Sequence, residues 1–348
     1  MSSLTSAALF SKKAFFWGIV AIAVVIALLV FLRIGRSIKN ALFPPAPLPA
    51  TVAFGKLPSM DLSGGYKAPL GVSYTLETIS GDLPTLALSA KVFAIGAAES
   101  SFGALERIKI KAAELGFGEA PTEVTPGVFK FVDPQDEGRV LTIEIYSENF
   151  TLVTDYFSKA EIISSRPQSD ERAIGVAGDF LDKYGLDLAN YPQDKIMTRK
   201  LRIDGNALTE TQALSSANLI EVNFIRGDLD KLPVFWAKKN EAGISVLVSA
   251  QGVVWAKVNP PAVLLHKFAT YPLRPPAVAF EDLEKGLGAF NSPVTTSQVT
   301  VIDVSLGYVE SEKASEYLVP VYLFRGVGDF FAYVPAVDDR WFDGPPSK

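Results

Sequence analysis

Cysteine is absent from the 348-residue sequence, and histidine occurs once, as His266. The absence of cysteine excludes disulfides, thiolate metal sites, a cysteine nucleophile and a bacterial lipoprotein anchor. One histidine provides no histidine pair for a metal, and any Ser-His-Asp triad would have to include it. The sequence therefore lacks the residues on which many catalytic and metal sites depend.

Acidic residues are missing from residues 1–39, which carry five basic side chains. The rest of the chain has 28 basic and 38 acidic residues, a net charge of −10. This acidic balance argues against a nucleic-acid partner, because phosphate contacts require clustered lysine and arginine. Apolar residues make up 48% of the chain, which is enough for folded cores and excludes a wholly disordered protein.

An uninterrupted apolar run covers residues 14–32 without a charge, an amide or a proline. As a helix it would be about 28 Å long, close to the roughly 30 Å hydrocarbon core of a bilayer. Phe15, Phe16 and Trp17 lie at its start, and Arg33 follows its end. We predict an uncleaved transmembrane helix over 14–33, with the lipid bilayer as its partner; a buried core helix is the alternative. Basic residues on its two sides nearly balance, so charge alone does not decide the orientation.

Four prolines lie within residues 44–49. Proline fixes φ and favours extended polyproline II geometry, so residues 34–65 are predicted to form a Pro-rich stalk. A disordered linker is an equal alternative, and either would hold the body away from the membrane.

Helical periodicity recurs three times after the stalk, over residues 100–116, 169–184 and 277–286. Each segment is followed by runs with strand character, separated by turn residues. This order predicts an α+β fold with helices packed on antiparallel sheets. We expect a first domain over 66–165, a second over 166–338 with two helix-plus-sheet copies, and a polar tail over 339–348.

The segment Tyr271-Pro272-Leu273, the short helix 277–286 and the runs 301–308, 317–322 and 331–336 carry a family resemblance. Together they resemble the C-terminal module of the YycH and YycI regulators, which are related to PepSY-like domains. The resemblance implies repeated helix-plus-antiparallel-sheet modules behind one N-terminal membrane helix. It also implies a cell-membrane protein with residues 1–13 in the cytoplasm and the body outside it.

Signatures of catalysis are scarce along the sequence. Gly326 and Gly328 join two strand runs without the Lys-Ser/Thr of a phosphate loop. The acidic pair Glu281-Asp282 opens a helix, where negative charge complements the helix dipole. We therefore predict no enzyme, no cofactor and no metal site, and interpret His266 as a structural residue.

Large apolar side chains cluster near the end of the chain, where few are expected. The candidate partner-binding residues are Phe330, Phe331, Tyr333, Trp341 and Phe342. No later strand run follows 330–337, so this strand is predicted to be a sheet edge that pairs with a partner's backbone. The alternatives are a strand buried in its own domain and a tail folded back on it.

Two function classes follow from these observations. The first is a membrane-anchored extracytoplasmic protein that binds and regulates or scaffolds another envelope protein. The second is an envelope hydrolase, or a hydrolase-inhibitor module, with a groove on a sheet. Carboxylates converging in a deep cleft would favour the second class, whereas an apolar face or an open strand edge would favour the first.

Overall fold

The computed structural model describes residues 50–67, 69, 71–96, 102–118 and 120–344. The predicted cytoplasmic tail, the membrane helix over 14–33 with Phe15, Phe16, Trp17 and Arg33, and the stalk up to residue 49 lie outside this part of the chain. Within it, no helix is long and apolar enough to cross a membrane. The described residues belong to one compact unit.

Strands dominate the described residues, which hold nineteen strands and four α-helices. The helices are α1 (Ala104–Glu114), α2 (Ala160–Ser164), α3 (Asp170–Lys183) and α4 (Pro276–Glu284). The first six strands are β1 (Ser73–Leu76), β2 (Ser89–Ile95), β3 (Thr122–Thr125), β4 (Val128–Asp133), β5 (Asp136–Glu144) and β6 (Phe150–Val153). The next six are β7 (Ile196–Asp204), β8 (Ala207–Glu210), β9 (Leu219–Phe224), β10 (Val234–Trp236), β11 (Ile244–Ser249) and β12 (Gly252–Val258). The last seven are β13 (Val263–Pro272), β14 (Ala289–Phe290), β15 (Gln298–Val301), β16 (Asp303–Glu310), β17 (Tyr317–Leu318), β18 (Pro320–Arg325) and β19 (Phe331–Pro335).

The predicted α+β fold of repeated helix-plus-sheet modules is wrong, because the described chain is mostly β. Helices do form at the three periodic segments, as α1, α3 and α4. The strands, however, do not assemble into one sheet per helix. They form sheets of nine, five, three and two strands, and the larger sheets combine segments that are far apart in sequence.

The largest sheet is antiparallel throughout, in the order β3-β4-β5-β6-β12-β11-β9-β7-β8. Its β6–β12 pairing joins strands on either side of the predicted domain boundary at residue 165. Helices α1 and α3 cover one face, where Ala173, Ala177 and Leu181 are buried. Ser169 caps the N-terminus of α3: its hydroxyl accepts a hydrogen bond from the Arg172 backbone N–H at 3.1 Å.

The opposite face of this sheet carries a row of apolar residues that are only partly covered. Val132, Val140, Val153 and Trp255 are successive cross-strand neighbours on β4, β5, β6 and β12. Val132 and Val153 are exposed, while Val140 and Trp255 are half-buried. We call this row the outer face.

The five-stranded sheet has the order β10-β16-β18-β19-β14, with β10 parallel to β16 and the other pairs antiparallel. Helix α4 covers one face, where its Phe280 ring lies 5.7 Å from that of Phe324. Strand β19 is flanked by β18 and β14, so the prediction that it forms a sheet edge is wrong. Strand β14 has two residues and is too short to be recognised as a strand from sequence.

The chain after β19 folds back onto the body. Phe342 is buried and forms a parallel β-bridge with Leu57. Trp341 packs edge-on against Tyr271, with ring centroids 5.9 Å apart. These two candidate partner-binding residues therefore stabilise the body itself.

A three-stranded sheet, β13-β2-β17, and a parallel pair, β1–β15, complete the fold. A buried ion pair links the two largest sheets: Nε of Arg226, just after β9, lies 2.5 Å from Oε1 of Glu310 at the end of β16. Burial raises the pKa of the Glu310 carboxyl, and the charge and hydrogen bond of Arg226 oppose that shift.

Candidate functional site

A solvent-open cleft of about 270 Å³ lies between the nine-stranded and five-stranded sheets. Strand β7 contributes Met197, the segment after β9 contributes Ile225, and β10 contributes Phe235 and Trp236. The hairpin between β18 and β19 bounds the other side, with Phe330. We call this the central cleft.

Aromatic side chains form the floor of the central cleft. The Phe235 and Phe331 rings are 5.2 Å apart, and Phe331 lies 6.2 Å from Tyr333 on the same face of the sheet. Phe331 and Tyr333 are buried, whereas Phe235 and Phe330 are half-buried. The floor is thus the accessible margin of a hydrophobic sheet face.

Residues 57–66 cover the rest of that face without forming a helix or strand. Leu62 is buried in the same cluster as Phe331. The close approach depends on Gly65, because a Cβ there would collide with the Tyr333 hydroxyl and lie 2.9 Å from the Phe290 carbonyl oxygen. None of residues 57–66 lines the cleft, so this covering segment leaves it open.

Asn291 holds the hairpin that bounds the cleft. Its Nδ2 donates to the Asp329 carbonyl oxygen at 2.6 Å, and its Oδ1 accepts from the Phe331 backbone N–H at 3.0 Å. Both side-chain groups of the buried amide are therefore satisfied, which orders the hairpin. The positions of Phe330 and Phe331 are fixed by this contact.

Charged side chains surround the aromatic floor. The four basic residues are Lys195, Lys238, Lys239 and Arg325, and the three acidic ones are Asp194, Glu241 and Asp329. The rim therefore has a net charge of +1 in a body whose net charge is −10. An apolar floor with a charged rim can bind an amphipathic group.

The sequence-predicted residues divide between this cleft and the core. Phe330 and Phe331 line the cleft, Tyr333 lies buried behind them, and Trp341 and Phe342 pack elsewhere. Sequence reasoning missed the other half of the site, on β7 and β10. The run Phe235-Trp236 followed by Lys238-Lys239 was the available signal, since aromatic and basic residues adjoin there.

His266 lies exposed on β13, away from the central cleft. No group of three or more potential metal ligands occurs among the residues that the structure describes. A second, wider groove of about 1070 Å³ has walls that include Glu148, Glu312 and Pro261. Two of its three carboxylates are ion-paired: Glu312 contacts Lys257, and Glu148 contacts Arg107 and Lys111 at 2.9 and 2.8 Å.

Glu148 is the most strongly engaged of these carboxylates. Burial raises the pKa of Glu148, but the hydrogen bonds and charges of Lys111 and Arg107 outweigh that effect and lower it overall. The stability gained from ionised Glu148 is therefore complete above the ordinary glutamate pKa of 4.5 and is lost as the pH falls through the lower folded-state value.

We expect Glu148→Gln to lower the free energy of unfolding by about 1 kcal/mol at pH 7. The difference from wild type should close as the pH falls through the lowered folded-state pKa of Glu148, because the wild-type glutamate is then neutral, as the glutamine is. Urea denaturation of the purified chain at several pH values measures this. The control is Glu106→Gln, which alters an exposed α1 pair with Lys109. A difference that persists unchanged in acid would contradict the assignment.

Comparisons with known proteins give a structural likeness without a family. No family model matches the sequence, and no curated protein matches it significantly. One solved structure is described as an uncharacterized protein from Eubacterium rectale ATCC 33656. The alignment covers 82% of this chain and 93% of the chain in that structure, with 11% sequence identity and a TM-score of 0.41.

Proposed function

We propose that this protein is a membrane-anchored extracytoplasmic protein that binds and regulates or scaffolds another envelope protein. The observation that carries the proposal is the open central cleft, with its aromatic floor and charged rim. The apolar run over residues 14–32 and the resemblance to the YycH and YycI regulators support the location. The acidic body argues against a nucleic-acid partner.

The size and lining of the cleft favour a protein segment as the ligand. Its volume of about 270 Å³ is just below the range of sites that enclose whole drug-sized molecules. Aromatic residues and arginine are enriched where protein partners gain most of their binding energy. Phe235, Trp236 and Arg325 supply these residue types at one opening. One large side chain of a partner would fill this space.

Met197→Asp is expected to abolish partner capture, whereas Val153→Asp should leave it unchanged. Both side chains are 46% exposed on strands of the nine-stranded sheet, but only Met197 lines the cleft. The full chain would carry a photo-crosslinking phenylalanine analogue at Val327, which is exposed at the tip of the hairpin that bounds the cleft. Crosslinking in intact cells then reports which adduct each aspartate variant loses.

Other crosslinking results with the two aspartate variants would contradict a role for the cleft. Loss of the adduct with Val153→Asp and its retention with Met197→Asp would move the binding surface to the outer face. Retention with both variants would contradict a role for the cleft.

Protease added to the same intact cells should cleave the body, and its survival until lysis would show the reverse orientation.

A further inference from the structure

Lys195 pairs with Asp228 at 3.1 Å, but the other three basic side chains around the central cleft have weaker partners in the protein. Arg325 lies with its guanidinium carbon 5.1 Å from the Phe235 ring centroid, and its Nε is 3.9 Å from Asp303. Among the described residues, no hydrogen bond uses the Arg325 guanidinium. Its planar donors are therefore available to a ligand that reaches the Phe235 end of the floor.

Two lysines on the same rim have long ion pairs. Nζ of Lys238 is 3.7 Å from Glu241, and Nζ of Lys239 is 3.3 Å from Asp329. Exposed pairs of this kind contribute only about 0–1 kcal/mol, so a ligand carboxylate can replace the acidic partner at little cost. The local excess of positive charge also contrasts with the acidic body, which would repel an anion elsewhere.

Together these features favour a more specific ligand than an apolar segment alone. We propose that the central cleft binds a segment of a partner protein in which a large aromatic side chain adjoins a carboxylate; this inference rests on the proposed function. The aromatic ring lies on the floor formed by Phe235 and Phe331, beside Met197. The carboxylate accepts paired hydrogen bonds from Arg325, whose fork matches its two oxygens.

The chemistry of the segment is testable with synthetic peptides and the full chain in detergent micelles. Three fluorescein-labelled peptides differ only at their centre, which reads Glu-Phe-Glu, Glu-Ala-Glu or Lys-Phe-Lys. We expect saturable binding of the Glu-Phe-Glu peptide by fluorescence anisotropy and at least about tenfold weaker binding of the other two, since each lacks one of the two recognition elements.

Arg325→Glu should weaken binding of the Glu-Phe-Glu peptide by at least about tenfold, because it replaces the proposed carboxylate partner with a like charge. The matched control is Arg202→Glu, since Arg202 is also half-exposed and paired with an aspartate, Asp204, but does not line the cleft. Binding by that variant should equal wild type. Thermal denaturation of both variants would show whether they are folded.

Three results would overturn the inference. These are equal binding of the alanine-centred peptide, unchanged binding by folded Arg325→Glu, and no saturable binding of any peptide. Loss of cellular adducts with Met197→Asp alongside any of these results would leave the proposed function standing and reject only the ligand chemistry. Peptide binding without that loss would reject the proposed function instead.

Discussion

Glu310→Ala is expected to lower the free energy of unfolding by about 3–5 kcal/mol. The Glu310 and Arg226 side chains are 4% and 7% exposed, so alanine would leave a guanidinium charge buried without a counterion. The other acceptors of Arg226, the Pro261 carbonyl oxygen at 2.7 Å and the Tyr191 hydroxyl at 3.4 Å, carry no compensating charge. Urea denaturation of the full chain in detergent, followed by tryptophan fluorescence, measures the loss.

A double variant separates the cost of an unpaired charge from the value of the pair. Arg226→Met combined with Glu310→Leu should recover most of the stability, because apolar replacement of a whole buried pair is often neutral or stabilising. Arg202→Ala, which breaks a half-exposed pair with Asp204, should cost less than about 1 kcal/mol. An effect of Glu310→Ala no larger than that of Arg202→Ala would contradict the burial argument.

Phe324→Ala is also expected to lower the free energy of unfolding, by about 3–5 kcal/mol. Phe324 is fully buried on β18, between the five-stranded sheet and α4, where it contacts Phe280. Truncation removes apolar burial and leaves a cavity that the β18 backbone, paired on both sides, can fill only in part. Denaturation by urea under the same conditions gives the change in free energy.

The control for this variant is Phe268→Ala. Phe268 is also on a strand, β13, but its side chain is exposed, so its truncation should cost less than about 1 kcal/mol. Equal losses for the two phenylalanine variants would show that β18 relaxes freely around the cavity. In that case the face covered by α4 would not be a rigid support for the cleft floor on its other side.

Local elements of this fold are predictable from sequence, whereas its sheets are not. Helix α3 follows from the spacing of Ala173, Ala177 and Leu181 and from the cap at Ser169, all of which lie within one segment. The β6–β12 pairing has no such local signal, because a period of two residues defines a face and not a partner. The repeated modules were a wrong assembly of real local elements.

The candidate site shows the same division. Phe330 and Phe331 stand out in the sequence as large apolar residues near the chain end, but the binding mode predicted for their strand, pairing at an open edge, is wrong because the two-residue β14 pairs with β19. Met197 and Phe235 line the cleft from separate strands, and no local sequence pattern predicts that they lie close together. Only the long-range arrangement of the two sheets brings them together.

The three-stranded sheet places a constraint on the timing of folding during synthesis. Strand β2 ends at Ile95, yet its neighbours on both sides begin at Val263 and Tyr317. At ribosomal rates of 5–20 residues per second, roughly ten to thirty seconds pass before the first of these partners exists. Throughout that interval the nascent chain carries Val92 and Phe93, both buried in the finished protein, on an unpaired strand. Such a strand is prone to aggregate, so its protection until the late strands arrive becomes a requirement of biogenesis.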